Sequence, residues 1–170
     1  YASTCQRDQH DRPIFGHVNF CPAAVSMDPA DWEQQLSTAI HELLHALGFS
    51  SSSWPLFRYE QGNPRTPRDA SGLPPAVPTM CVDGVTRTVR APSASTLQLG
   101  TERGMTVNRI VTPRVTSIAR DLFGCGSLTG AELESQPTSP GSCYGSHWEQ
   151  RLFLDEVLAA SPALALSRPR

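Results

Sequence analysis

The sequence predicts an α+β chain, and three stretches carry that prediction. Residues 13–20 (PIFGHVNF) hold β-branched and aromatic side chains in partial alternation and are closed by Cys21-Pro22, the pattern of a short strand at a sheet edge. Residues 28–48 read as an amphipathic helix. Asp28 or Ser26 can cap it, Pro29 suits its first turn, and Trp32, Leu36, Ile40, Leu43, Leu44 and Leu47 recur at steps of three and four, so one face is expected to be buried. Gly48 ends it where a left-handed residue is needed. A second strand-to-helix passage follows later: residues 106–111 are β-rich, Thr112-Pro113 supplies a cap and first turn, and Val115, Ile118, Ala119, Leu122 and Phe123 form an apolar stripe that stops at Gly124.

Between these elements the character changes. Residues 51–104 hold seven prolines with little periodic apolar pattern and read as a long surface excursion with at most short strands, the stretch expected to move most. Residues 126–146 are loop-like. Residues 148–160 carry a weaker helical pattern through Leu152, Leu154 and Val157, and Pro162 and Pro169 argue against a helix beyond them.

Composition narrows the class. At 170 residues and 39% hydrophobic content the chain is long enough for a core of its own. A formal charge of −2, with the basic residues scattered, gives no stripe to track a phosphate backbone, so nucleic acid is excluded as the expected partner. No apolar run reaches membrane-spanning length, and the start at Tyr1 has neither an initiator Met nor a signal-peptide layout, which reads as a piece of a longer chain. Five cysteines, none in a C-x-x-C pair, point to disulfides in an oxidising compartment, and their odd number leaves at least one free or paired outside these residues.

The chemistry lies in HELLHALGFS, residues 41–50. On a helix His41 and His45 share one face, so both imidazoles can reach a single zinc ion at about 2.0–2.1 Å. Glu42 is rotated about 100° from His41, which sets its carboxylate beside the metal rather than on it. There it can take a proton from a water on the zinc and pass it to a leaving amine. A histidine beside apolar residues is commonly just a packed side chain, but the helical context and the turn at Gly48 favour ligation. A catalytic site needs a third protein ligand, and the other histidines are His10, His17 and His147. The residue six positions after His45, where a compact signature would place it, is Ser51.

Further stretches join this one: CQRDQHDRPIFGHVNFCP (5–22), GNPRT and GLPP in the long excursion, IVTPRV (110–115), GAELESQ (130–136) and GSHWEQRL (145–152). In this order the chain resembles the leishmanolysin family of metzincin zinc peptidases, and within it the invadolysin-like branch. The resemblance implies a metzincin-like core with an active-site helix, a short edge strand, a loop-rich insertion and a lower helical lobe. Residues 1–50 would close the upper lobe, 51–111 form the insertion, and 112–170 form the lower lobe of a longer protein. It implies one catalytic zinc held by His41, His45 and His147, with His10 and His17 outside the ligand set. Glu42 would be the base of an endopeptidase acting on peptides or proteins. The strand around Gly16 to Phe20 would pair with an extended substrate, and Trp148 and Glu149 would pack around or orient His147.

The chain departs from the family at Leu158, which stands where a methionine forms the apolar floor below the metal; similar volume predicts that the floor persists. Two other readings stay open: a degenerate module kept for adhesion or assembly, and a site in which Glu132 or Glu134 replaces His147. The resemblance also implies a secreted or cell-surface protein, with membrane association left to parts outside this chain.

Overall fold

The computed structural model describes residues 1–135 and 142–159. Helix and sheet are mixed, as an α+β chain requires, and the chain divides into two units. One comprises Tyr1–Phe49 with the segment from His147 onward; the other is Ser50–Ser146.

In the first unit β1 (Ala2–Arg7) and β2 (Pro13–Val18) form an antiparallel pair in register from Ala2 opposite Val18 to Arg7 opposite Pro13, with an irregularity around Cys5. β1 carries no strong sequence signal and is recruited by this pairing. Asp28 caps a single turn, Pro29–Asp31, by accepting from the Ala30 amide, and the chain runs straight on into α1 (Trp32–Ala46). The end of α1 docks on the strands: Thr4 Oγ1 donates to the Ala46 carbonyl at 2.8 Å. A side chain at position 16 would stand 3.1 Å from the Ala46 methyl and 3.2 Å from the Ser3 carbonyl, so Gly16 is what allows this close approach. Gly48 takes φ +109°, and the Phe49 and Gly48 amides donate to the Leu44 and His45 carbonyls, the paired bonds of a Schellman ending.

The apolar stripe of α1 is where the structure departs from the periodicity. Trp32, Leu36, Ile40, Leu43 and Leu47 are 42–68% exposed, and the buried positions are Ser37, His41 and Ala46. The period identifies an apolar face but not what covers it, and a two-stranded pair is too small to shield every side of a helix. Likewise α2 (Pro113–Phe123) buries Thr116 and Ala119 while Ile118 and Leu122 stay exposed; Thr112 occupies the cap position without a side-chain cap bond.

In the second unit the proline-rich stretch folds around buried side chains rather than lying wholly on the surface. Trp54 is 1% exposed and donates Nε1–H to the Gly145 carbonyl at 3.1 Å. Hairpin β3–β4 (Ala76–Met80, Thr86–Arg90) turns at Asp83-Gly84, and Cys81 beside it bonds Cys143 in a disulfide. Hairpin β5–β6 (Leu97–Glu102, Met105–Ile110) turns on two residues of positive φ, Arg103 and Gly104, as tight hairpins demand. β7 (Ala131–Leu133), in a stretch that reads as loop, adds to the other edge of β6 and completes a sheet in the order β5-β6-β7.

Among the described residues after His147, one turn is helical, α3 (Gln150–Phe153), because Leu154 adopts φ +46° and breaks the pattern that Leu152, Leu154 and Val157 suggested. The stretch bearing Pro162 and Pro169 lies outside the described residues. Cys5, Cys21 and Cys125 are free thiols, in keeping with the odd cysteine count.

Candidate metal centre

The i, i+4 spacing on α1 brings His41 and His45 to one face, and the chain returns 102 residues later to set His147 against them. The three Nε2 atoms form a nearly regular triangle: 3.1 Å between His41 and His45, 3.2 Å between His45 and His147, and 3.2 Å between His41 and His147. His41 is buried and the other two are partly so.

The opposite ring nitrogens explain this convergence. His41 Nδ1–H donates to the Val157 carbonyl and His45 Nδ1–H to the Phe49 carbonyl, both at 2.6 Å. Each bond places the proton on Nδ1, leaving an Nε2 lone pair aimed at the shared point. Three imidazole nitrogens about 2.0–2.1 Å from one tetrahedral ion stand about 3.3 Å apart, so this donor set fits zinc. Burial pushes the pKa of His45 below the usual histidine value; the bond to Phe49 opposes this and the neighbouring His41 and His147 add to it, and a neutral ring is the ligating form.

The Val157 carbonyl is presented by a turn. The Glu156 carboxylate accepts from the Leu158 amide at 2.7 Å, and the Ala159 amide donates to the Glu156 carbonyl at 2.9 Å. Leu158, the residue at the expected methionine position, is buried next to this carbonyl. Neither carbonyl was visible as a functional group in the sequence, since every residue carries one; only Gly48, which forces the turn at Phe49, hinted at the second.

Glu42 is half-buried and borders a groove of about 690 Å³ that runs along α1 as far as Asp31, with Asn19, Phe20 and Val25 on its other wall. His10 lies exposed in the β1–β2 turn and His17 exposed on β2, and neither joins the cluster. Glu132 and Glu134 are also absent from it. Glu132 pairs with Arg109 at 3.6 Å, and the Glu134 carboxylate accepts from the Ser146 amide at 2.7 Å.

A family model described as leishmanolysin matches residues 1–64 and 89–166. The chain belongs to the leishmanolysin family. It is 38% identical over 165 residues to a leishmanolysin-like peptidase of Caenorhabditis elegans, covering 95% of this chain and 25% of that protein. The Drosophila melanogaster leishmanolysin-like peptidase is likewise 38% identical, over 168 residues and 24% of its length. The ciliated left-right organizer metallopeptidase of Mus musculus is 28% identical over 162 residues, 95% of this chain and 19% of that protein. The chain therefore spans about a quarter or less of the relatives it matches. The family model leaves residues 65–88, which contain β3 and the turn at Asp83-Gly84, and residues 167–170 unmatched, while the relatives above align over 95% of the chain. No described helix is long and apolar enough to cross a membrane.

Proposed function

We propose that the chain carries the catalytic centre of a zinc endopeptidase of metzincin type, with His41, His45 and His147 as ligands and Glu42 as the base. The observation that carries this reading is the convergence of three Nε2 atoms from segments 102 residues apart. When bound, zinc supplies a Lewis acid that lowers the pKa of water to roughly 7 and polarises the carbonyl under attack.

The chain's own residues do the rest. The Val157 and Phe49 carbonyls hold His41 and His45 in the tautomer that ligation needs. Glu42 accepts the proton of the attacking water as its oxygen bonds to the peptide carbon, then delivers it to the amine nitrogen as the C–N bond breaks. The groove beside Glu42 offers room for a peptide or protein substrate, and the strand around Gly16 to Phe20 is the proposed rail for its backbone. Leu158 takes the methionine's place in the apolar floor. The Cys81–Cys143 disulfide supports an oxidising compartment, and hence a secreted or cell-surface protein.

The test is metal content together with peptide-library hydrolysis, on the full-length protein and its Glu42→Ala variant. One zinc per chain is expected in both, with hydrolysis slower by about 100-fold or more in the variant. Equal rates at equal zinc content would sink the mechanism. One zinc with no turnover in either protein would favour the degenerate adhesion or assembly module instead.

A further inference from the structure

Trp148 follows His147 directly and is held from three directions within the first unit. Its ring meets the edge of Phe49 with centroids 4.8 Å apart at 65°, and it stacks on Phe153 of α3 at 5.3 Å and 29°. Its backbone amide donates to the Leu158 carbonyl at 2.9 Å.

Two of these contacts lead back to the histidine cluster. Phe49 is the residue whose carbonyl receives His45 Nδ1–H. Leu158 adjoins Val157, whose carbonyl receives His41 Nδ1–H. The indole thus ties the anchor of His45 to the segment that delivers the third histidine, while the backbone amide of the same residue bonds beside the anchor of His41. That third histidine stands 102 residues after His45 and off α1, so its ring is set by the contacts of its own segment rather than by the helix. Aromatic contacts suit the task because their large rigid faces fix orientation as well as separation.

We propose that Trp148 is the positioning residue of the centre, locking His147 in register with His41 and His45 through Phe49 and Phe153. It touches neither substrate nor metal and acts through His147. The inference rests on the zinc reading above and adds a residue to it.

The experiment measures zinc affinity by competition with a chelating dye, and the d–d absorption of the cobalt-loaded form, on the full-length protein. Trp148→Ala should weaken zinc by about 10–100-fold, the usual cost of removing a group that orients a ligand, and should alter the four-coordinate cobalt spectrum. Trp148→Phe keeps an aromatic face and should restore both. The decisive arm repeats Trp148→Ala in a His147→Ala background, where no further loss is expected because the residue it acts through is gone. Phe49→Leu leaves the backbone carbonyl on His45 and removes only the ring contact, so its loss should depend on the background in the same way. That arm keeps the test independent of whether Trp148→Ala folds.

The same loss in both backgrounds, or none in a parent that holds zinc, would overturn this inference alone. A parent that holds no zinc would overturn the zinc reading and this inference with it.

Discussion

The two units are built on different terms. Among the described residues, the buried hydrophobic side chains of the first unit are Ala46, Leu158 and Ala159, and its other buried residues are Ser37 and His41. The second unit buries Trp54, Leu97, Val107, Ile110, Leu133 and Tyr144, and it holds the Cys81–Cys143 disulfide. Where apolar burial is that sparse, few contacts offset the entropy of ordering the chain, and the converging histidines become a main organising contact. The first unit should therefore depend on its metal and the second on its core and crosslink.

Removing the metal is the strongest way to break this contrast. A ligand that binds only the folded form at 1,000 times its Kd stabilises by about 4 kcal/mol. Chelation should lower the protection of α1 amides against hydrogen exchange by about that amount and leave β5, β6 and β7 unchanged. Equal loss in both units, or in neither, would end the comparison.

The reciprocal experiment acts on the other side with a smaller effect. The disulfide spans 62 residues of sequence, and removing such a crosslink costs about 2–4 kcal/mol. Replacing Cys81 and Cys143 by alanine should lower protection in β3 through β7 while zinc affinity stays at the parent value. A concurrent fall in zinc affinity would mean that the units are not energetically separate.

This contrast also explains what the sequence disclosed. Helix α1, its cap at Asp28, its stop at Gly48 and the pairing of His41 with His45 are local patterns, written in residues close together in the chain. His147 is not local, and only the motif around it singled it out. The carbonyls of Val157 and Phe49 left no trace because a backbone acceptor has no residue identity. Exposure of Leu36 and Leu43 was hidden for a related reason: a period of 3.6 marks a face without specifying its cover. In the second unit β7 escaped notice because Glu132 sits in it, and a buried glutamate in a strand makes sense only with Arg109 opposite. The β3–β4 hairpin escaped because its strands, AVPTM and TRTVR, are largely exposed and carry no apolar run.

The smallest predicted effect sharpens the contrast within that hairpin. Asp83 accepts from both Arg87 guanidinium nitrogens, at 2.8 and 2.7 Å, and from the Val85 amide at 3.1 Å. The Arg87 contact is the leading cause that brings its pKa down from 3.8 to about 2. A carboxylate depressed in the folded state favours folding above its ordinary pKa, and that contribution is lost as pH falls from about 3.8 through about 2. The pair is exposed, so salt and water screen it and the change in stability should be slight. The titration itself should be plain. Following the Asp83 side-chain carbon by NMR, Arg87→Ala should return the midpoint toward 3.8 and leave the signals of His41, His45 and His147 where they were. A midpoint still near 2 would assign the depression to the turn amides rather than to the arginine. Movement of the histidine signals would show that a charge in the hairpin is felt in the first unit, against the separation on which the comparison stands.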